Sequence, residues 1–121
     1  MGDWISAEDG FIAADVVRWT EGIYEKRRSK KAKTRRLGER LVSAEVIEDS
    51  GDGWLTLLVR ACIITKDIYA GSTIPPLRIG DTIKRARRTI ERGKPERLVW
   101  SDESVRDTVR DTDWDDQTPA T

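Results

Sequence analysis

Residues 37–67, "LGERLVSAEVIEDSGDGWLTLLVRACIITKD", decide the fold. They read as two strands, near 39–48 and 54–65, joined by a Gly/Asp-rich turn from Asp49 to Gly53. In the second strand Leu55, Leu57, Val59, Ala61 and Ile63 share one parity and form an apolar row, with Thr56, Leu58, Arg60, Cys62 and Ile64 as a mixed row opposite. In the first, Val42, Ala44 and Val46 alternate with Ser43 and Glu45. Side chains of a strand alternate between faces, so this is a hairpin with one dry side laid on a core.

The flanks admit two readings. "FIAADVVRWTEGIYE" (11–25) is rich in β-branched and aromatic residues, which predicts a strand over about 13–25 with Val17, Trp19 and Ile23 on one face. Yet Ile12, Val16, Trp19 and Ile23 also recur at helical spacing. "IGDTIKRARRTIERG" (79–93) poses the same choice: Ile79, Ile83, Ala86 and Ile90 suit a helix capped by Asp81 and Gly93, while a strand gives weakly amphipathic rows. Pro75-Pro76 fixes extended backbone before it. "ERLVW" (96–100) predicts a short strand. Ser101 follows as an N-cap for a helix of roughly 102–110, with Val105 and Val109 inward and Asp102 and Glu103 in the dipole-favoured first turn.

The expected architecture is mainly β: a small antiparallel sheet with a short C-terminal helix. In architecture alone it resembles small partial barrels of the SH3 and OB types, a likeness that carries no function. The alternative is an α+β fold with helices near 12–24 and 81–92. Length fits one domain, at 11–110, preceded by an N-terminal arm (1–10) and followed by an acidic flexible tail (111–121).

Charge is the second signal. The chain balances 22 Lys and Arg against 22 Asp and Glu, but the signs are segregated. Residues 26–36 hold eight cations and no carboxylate, and residues 84–97 hold seven cations against two carboxylates. Residues 101–116 reverse this, with seven carboxylates against Arg106 and Arg110. Local field rather than net charge should therefore govern binding.

"EKRRSKKAKTRR" (25–36) has no apolar residue but Ala32 and no turn chemistry, which predicts a mobile basic loop between strands. Flexible cations release condensed counterions on meeting a polyanion, so Lys26, Arg27, Arg28, Lys30, Lys31, Lys33, Arg35 and Arg36 are candidate phosphate contacts for nucleic acid. Lys84, Arg85, Arg87 and Arg88 form a second set. Tyr24, beside the loop, is a candidate stacking platform, whereas Trp19 shares the core parity of Val17 and Trp54 suits a half-buried strand edge. The alternatives are a solvated loop with no ligand, an anionic lipid surface, a protein with an acidic surface, or a second copy of the chain through its own acidic end.

Other chemistries find little support. Without histidine there is no Ser-His-Asp or Cys-His nucleophile pair. "DTDWD" (111–115) fails as a calcium loop because Asp116 stands where glycine is needed. The glycines form neither a Walker loop nor a dinucleotide fingerprint, so no cofactor or metal is expected. Glu45 is the one carboxylate that interrupts an apolar strand, and an outward side chain explains it. The lone Cys62 cannot form an internal disulfide, the acidic N-terminus lacks a signal-peptide pattern, and no apolar run could span a bilayer. These features point to a cytoplasmic protein and assign no catalytic residue.

Overall fold

The computed structural model describes residues 3–24, 35–68 and 76–116. Its centre is the hairpin: β3 (Arg36–Asp49) and β4 (Trp54–Asp67) pair antiparallel around a turn in which Gly51 and Gly53 take positive φ. Those two angles, +78° and +92°, are strained for any side chain, which is why glycine stands at both positions. The two remaining long segments join this hairpin on either side. β2 (Val16–Tyr24) pairs with β3, and β5 (Thr82–Ala86) pairs with the first residues of β4. With the short strands β1 (Trp4–Ser6) and β6 (Glu96–Leu98), the sheet is antiparallel and open, in the order β1-β6-β2-β3-β4-β5.

The disputed flanks resolve differently. The helical stripe of 12–24 gives way to strand β2, whose inward parity, Val17 and Trp19, is fully buried. Residues 81–92 divide instead: the alternating half pairs as β5, and the helical half becomes α1 (Arg87–Arg92). Asp81 does not cap α1; its carbonyl accepts from the Val59 N–H (2.9 Å), and Ala86 occupies the N-cap without a side-chain bond. Gly93 ends α1 at φ −88°, so its need for glycine is steric. A Cβ there would lie 2.3 Å from the Thr20 carbonyl oxygen, because the Gly93 backbone docks on β2 and accepts from the Thr20 N–H (3.0 Å). That crossover carries the chain from one side of the sheet to β6 on the other.

The hairpin's register shifts at three places, and the middle one is hidden by the alternation. Ala44 pairs with Val59 and Ser43 with Ala61, leaving Arg60 opposite nothing. This β-bulge reverses the parity of β4. Leu55, Leu57 and Val59 are buried, but beyond Arg60 the core side passes to Cys62, and Ile63 is 60% exposed. The single apolar row of the sequence is thus two half-rows on opposite faces. Trp19, Val42, Leu57 and Ile90 fill the core, each fully buried and contributing roughly 1.5–3 kcal/mol.

The C-terminal helix α2 (Glu103–Asp116) continues past residue 110 into the segment expected as tail, with no Gly or Pro to stop it before Pro119. Asp102, not Ser101, caps it: its Oδ1 accepts from the Ser104 N–H at 2.9 Å. Nor does a valine pair face inward. Val105 is 48% exposed, and among 103–110 the buried residue is Arg106. Arg106 donates from Nε (2.9 Å) and Nη2 (2.8 Å) to Asp15, a carboxylate with no exposed surface that also accepts from Trp100 Nε1 and the Ile12 N–H, both at 2.8 Å. The buried anion requires a cation there, which an apolar stripe could not supply. Arg97 then grips Glu103 through two bonds (2.6 and 3.1 Å).

Two outcomes follow from this anchoring. Arg106→Met leaves Asp15 without its counter-charge in the core, and urea denaturation should show a loss of roughly 3–5 kcal/mol. Glu103, held by Arg97 and by the Trp100 N–H, has its pKa lowered from 4.5 to about 2. A depressed carboxylate stabilises the fold above its unfolded value and loses that effect as pH falls through its folded value. The Tm difference between wild type and Glu103→Gln should be full above pH 4.5 and vanish toward about 2.

Candidate functional site

β2 sends Val17, Trp19 and Glu21 to the same face, so the strand that builds the core also carries a carboxylate into its margin. Arg40 stands directly opposite Glu21 on β3, and Arg85 reaches it from β5. The donors converge closely. Trp19 Nε1 donates to Glu21 Oε1 (2.8 Å), Arg40 Nε to Oε2 (2.9 Å), and Arg85 to both oxygens, from Nε (2.9 Å) and Nη2 (3.1 Å). Burial pushes the Glu21 carboxyl up, but the bonds from Arg85, Trp19 and Arg40 together with the Arg85 charge hold it below its ordinary value. It is therefore a fixed anion and a poor base, suited to orienting guanidinium groups rather than to proton transfer.

A cleft of about 590 Å³ opens over this cluster. One wall is β2 from Thr20 to Gly22 with Tyr24 beyond; the other is the end of α1, with Thr89, Arg92 and Gly93. Among the described residues that line it stand three guanidinium groups, of Arg40, Arg85 and Arg92, and one carboxylate, Glu21, an excess of two positive charges. Arg92 is exposed and makes no ion pair among the described residues. Arginine suits this role because its planar fork holds one anion while presenting further donors to another. Tyr24 is 58% exposed at the cleft mouth, with its ring lying across Gly22.

The residues singled out in the sequence separate in space. Tyr24 and Arg85 line the cleft. Lys84 and Arg88 lie on exposed surface beside Trp54, itself 51% exposed, outside the cleft. Arg87 is engaged elsewhere, donating to Asp49 Oδ2 (2.7 Å) and lying 4.4 Å over the Phe11 ring. Arg36 pairs with Glu39 at the start of β3, and Arg35 precedes it. Lys26, Arg27, Arg28, Lys30, Lys31 and Lys33 fall outside the described residues. Glu45, the carboxylate singled out above, pairs with Arg60 at the bulge.

Sequence reasoning missed Glu21, Arg40 and Arg92. For the first two a signal existed. Glu21 keeps the parity of Val17 and Trp19, and Arg40 keeps that of Val42 and Ala44, so opposite charges follow two core rows at neighbouring positions. Among the described residues no cluster of His, Cys, Asp or Glu could hold a metal ion, and no helix is long and apolar enough to cross a membrane.

Because the carboxylate is nearly enclosed, Glu21→Gln leaves two arginines without their anion. Chemical denaturation should show a loss of roughly 3–5 kcal/mol, and added phosphate should restore more stability to the variant than to the wild type. A variant as stable as the parent would show that the arginines do not need Glu21.

No protein family, characterised protein or solved structure matches this chain.

Proposed function

We propose that this protein is a non-enzymatic binding module for nucleic acid, holding phosphates through the Glu21-ordered cleft and the basic segment of 26–36. The observation that carries the reading is where that segment is tethered. Tyr24 and Arg36, which bracket it, are paired across β2 and β3, and Tyr24 also lines the cleft. Eight cations in eleven residues thus begin and end at the mouth of a cleft with two excess positive charges. Phosphate contacts of this kind give salt-sensitive affinity with little dependence on sequence, and the exposed ring of Tyr24 offers unpaired bases a surface to stack on. Cys62, partly buried against the core, fits a reducing, cytoplasmic setting.

Fluorescence anisotropy of labelled single- and double-stranded oligonucleotides over a salt series tests this. The expected log–log slope is about −4 to −7, each duplex phosphate contributing about −0.9. Replacing the cations of 26–36 by Gln should make that slope markedly shallower. Absence of binding at about 50 mM salt, where counterion release favours it most, would overturn the reading. Self-association at low salt without any polyanion would instead favour assembly through oppositely charged segments.

A further inference from the structure

We infer that the cleft over Glu21 takes a phosphate monoester, the terminal phosphate of a nucleic-acid strand; this rests on the nucleic-acid reading and adds to it a preference for strand ends. Charge is the first argument. The described lining carries two positive charges beyond the one that Glu21 neutralises. A phosphodiester inside a strand brings one negative charge, whereas a monoester with a second pKa of about 6 brings close to two at neutral pH. A dianion satisfies this cleft, and a diester leaves it half-compensated.

Geometry is the second. Arg40 and Arg85 belong to different strands and are held in place by a carboxylate with 7% of its side chain exposed, so their forks are oriented before any ligand arrives. Arg92, in the last turn of α1, completes a third side. The hydroxyl-bearing Thr20 and Thr89 line the same walls.

Shape is the third. Where α1 ends, the Gly93 backbone is bonded to Thr20 and leaves no room even for a Cβ, so β2 and the α1 terminus are joined along one side of the cleft. A strand running through would have to pass that junction. A strand ending there would not. Its terminal phosphate would meet the three arginines, with the sugar and base directed over the exposed Tyr24 ring.

The test compares one short single-stranded oligonucleotide with a 5′-phosphate, a 3′-phosphate or hydroxyl ends, by anisotropy at about 150 mM salt, where exposed long-range charge effects are screened. One phosphorylated end should bind at least about tenfold more tightly than the hydroxyl strand, as charge-assisted bonds to a dianion require. In Arg92→Gln, checked for an unchanged unfolding midpoint, that ratio should fall to within about twofold of unity. Equal binding of phosphorylated and hydroxyl strands would overturn the inference while leaving the nucleic-acid reading intact; no binding of any strand, at about 50 mM salt as well as at about 150 mM, would overturn both. A mononucleotide or inorganic phosphate that competes as strongly as the phosphorylated strand would overturn the strand end as the source of the monoester. Retention of the full ratio in Arg92→Gln would remove the cleft as its site.

Discussion

The molecule turns on one carboxylate. Glu21 lies on β2, yet it is gripped by Arg40 of the adjacent strand and by Arg85 of β5, an edge strand separated from β2 by both strands of the hairpin. No hydrogen-bond ladder joins β5 to β2, since the sheet is open. The sheet must curl for Arg85 to reach Glu21, and this ion cluster marks where the curl brings its two flanks together. Desolvating three charges offsets most of their mutual attraction, so the cluster contributes position more than net stability. Position is what the proposed binding cleft requires.

A second carboxylate uses the same chemistry to a different end. Asp15, immediately before β2, also accepts from an indole N–H and a guanidinium, here Trp100 and Arg106. There the account is one anion to one cation, the carboxylate fully closed from solvent and the guanidinium nearly so, and the product is a helix fastened to the sheet. At Glu21 the anion is outnumbered and the cluster faces a cleft. Neither site uses lysine, whose ammonium would hold a carboxylate without fixing a plane. The two ends of β2 therefore differ in charge balance: a matched pair fastens a helix to the sheet, and an unmatched set lines a cleft.

Much of this was legible in the sequence. The hairpin could be read because alternation over a dozen residues has one physical meaning, a half-buried pleated surface. The reading failed at Arg60 because a bulge is set by how two strands fit together, and neither strand's own pattern shows which residue will be left over. In 79–93 the helical and alternating patterns were both real, and the structure uses each over half the segment. Within the cleft, Tyr24 and Arg85 were marked by exposure-prone chemistry and by charge clustering. Glu21 and Arg40 were passed over because a charged residue in a strand is ordinarily read as pointing to solvent. Parity said otherwise, and parity is the stronger signal when the neighbours are Val17, Trp19, Val42 and Ala44. Arg92 had no such marker, since its place in the cleft depends on how α1 crosses to β2.

A neutral chain with a concentrated positive segment now has a physical account. Formal charge is a sum over the whole molecule, while a ligand responds to charges within about a Debye length, roughly 8–10 Å at physiological salt. Many carboxylates of the sheet are already committed: Glu96 to Arg18, Asp49 to Arg87, Glu45 to Arg60 and Glu39 to Arg36. The first turns of α2, with Glu103, are tied through Arg97 and Arg106 to the Asp15 end of β2. From Asp15 to Glu21 the extended chain covers roughly 20 Å at about 3.3 Å per residue, around twice the screening distance. The acidic residues anchored there cannot cancel the field at the cleft. Neutrality of the whole and positivity of the cleft are compatible because β2 is long enough to keep its two ends electrically apart.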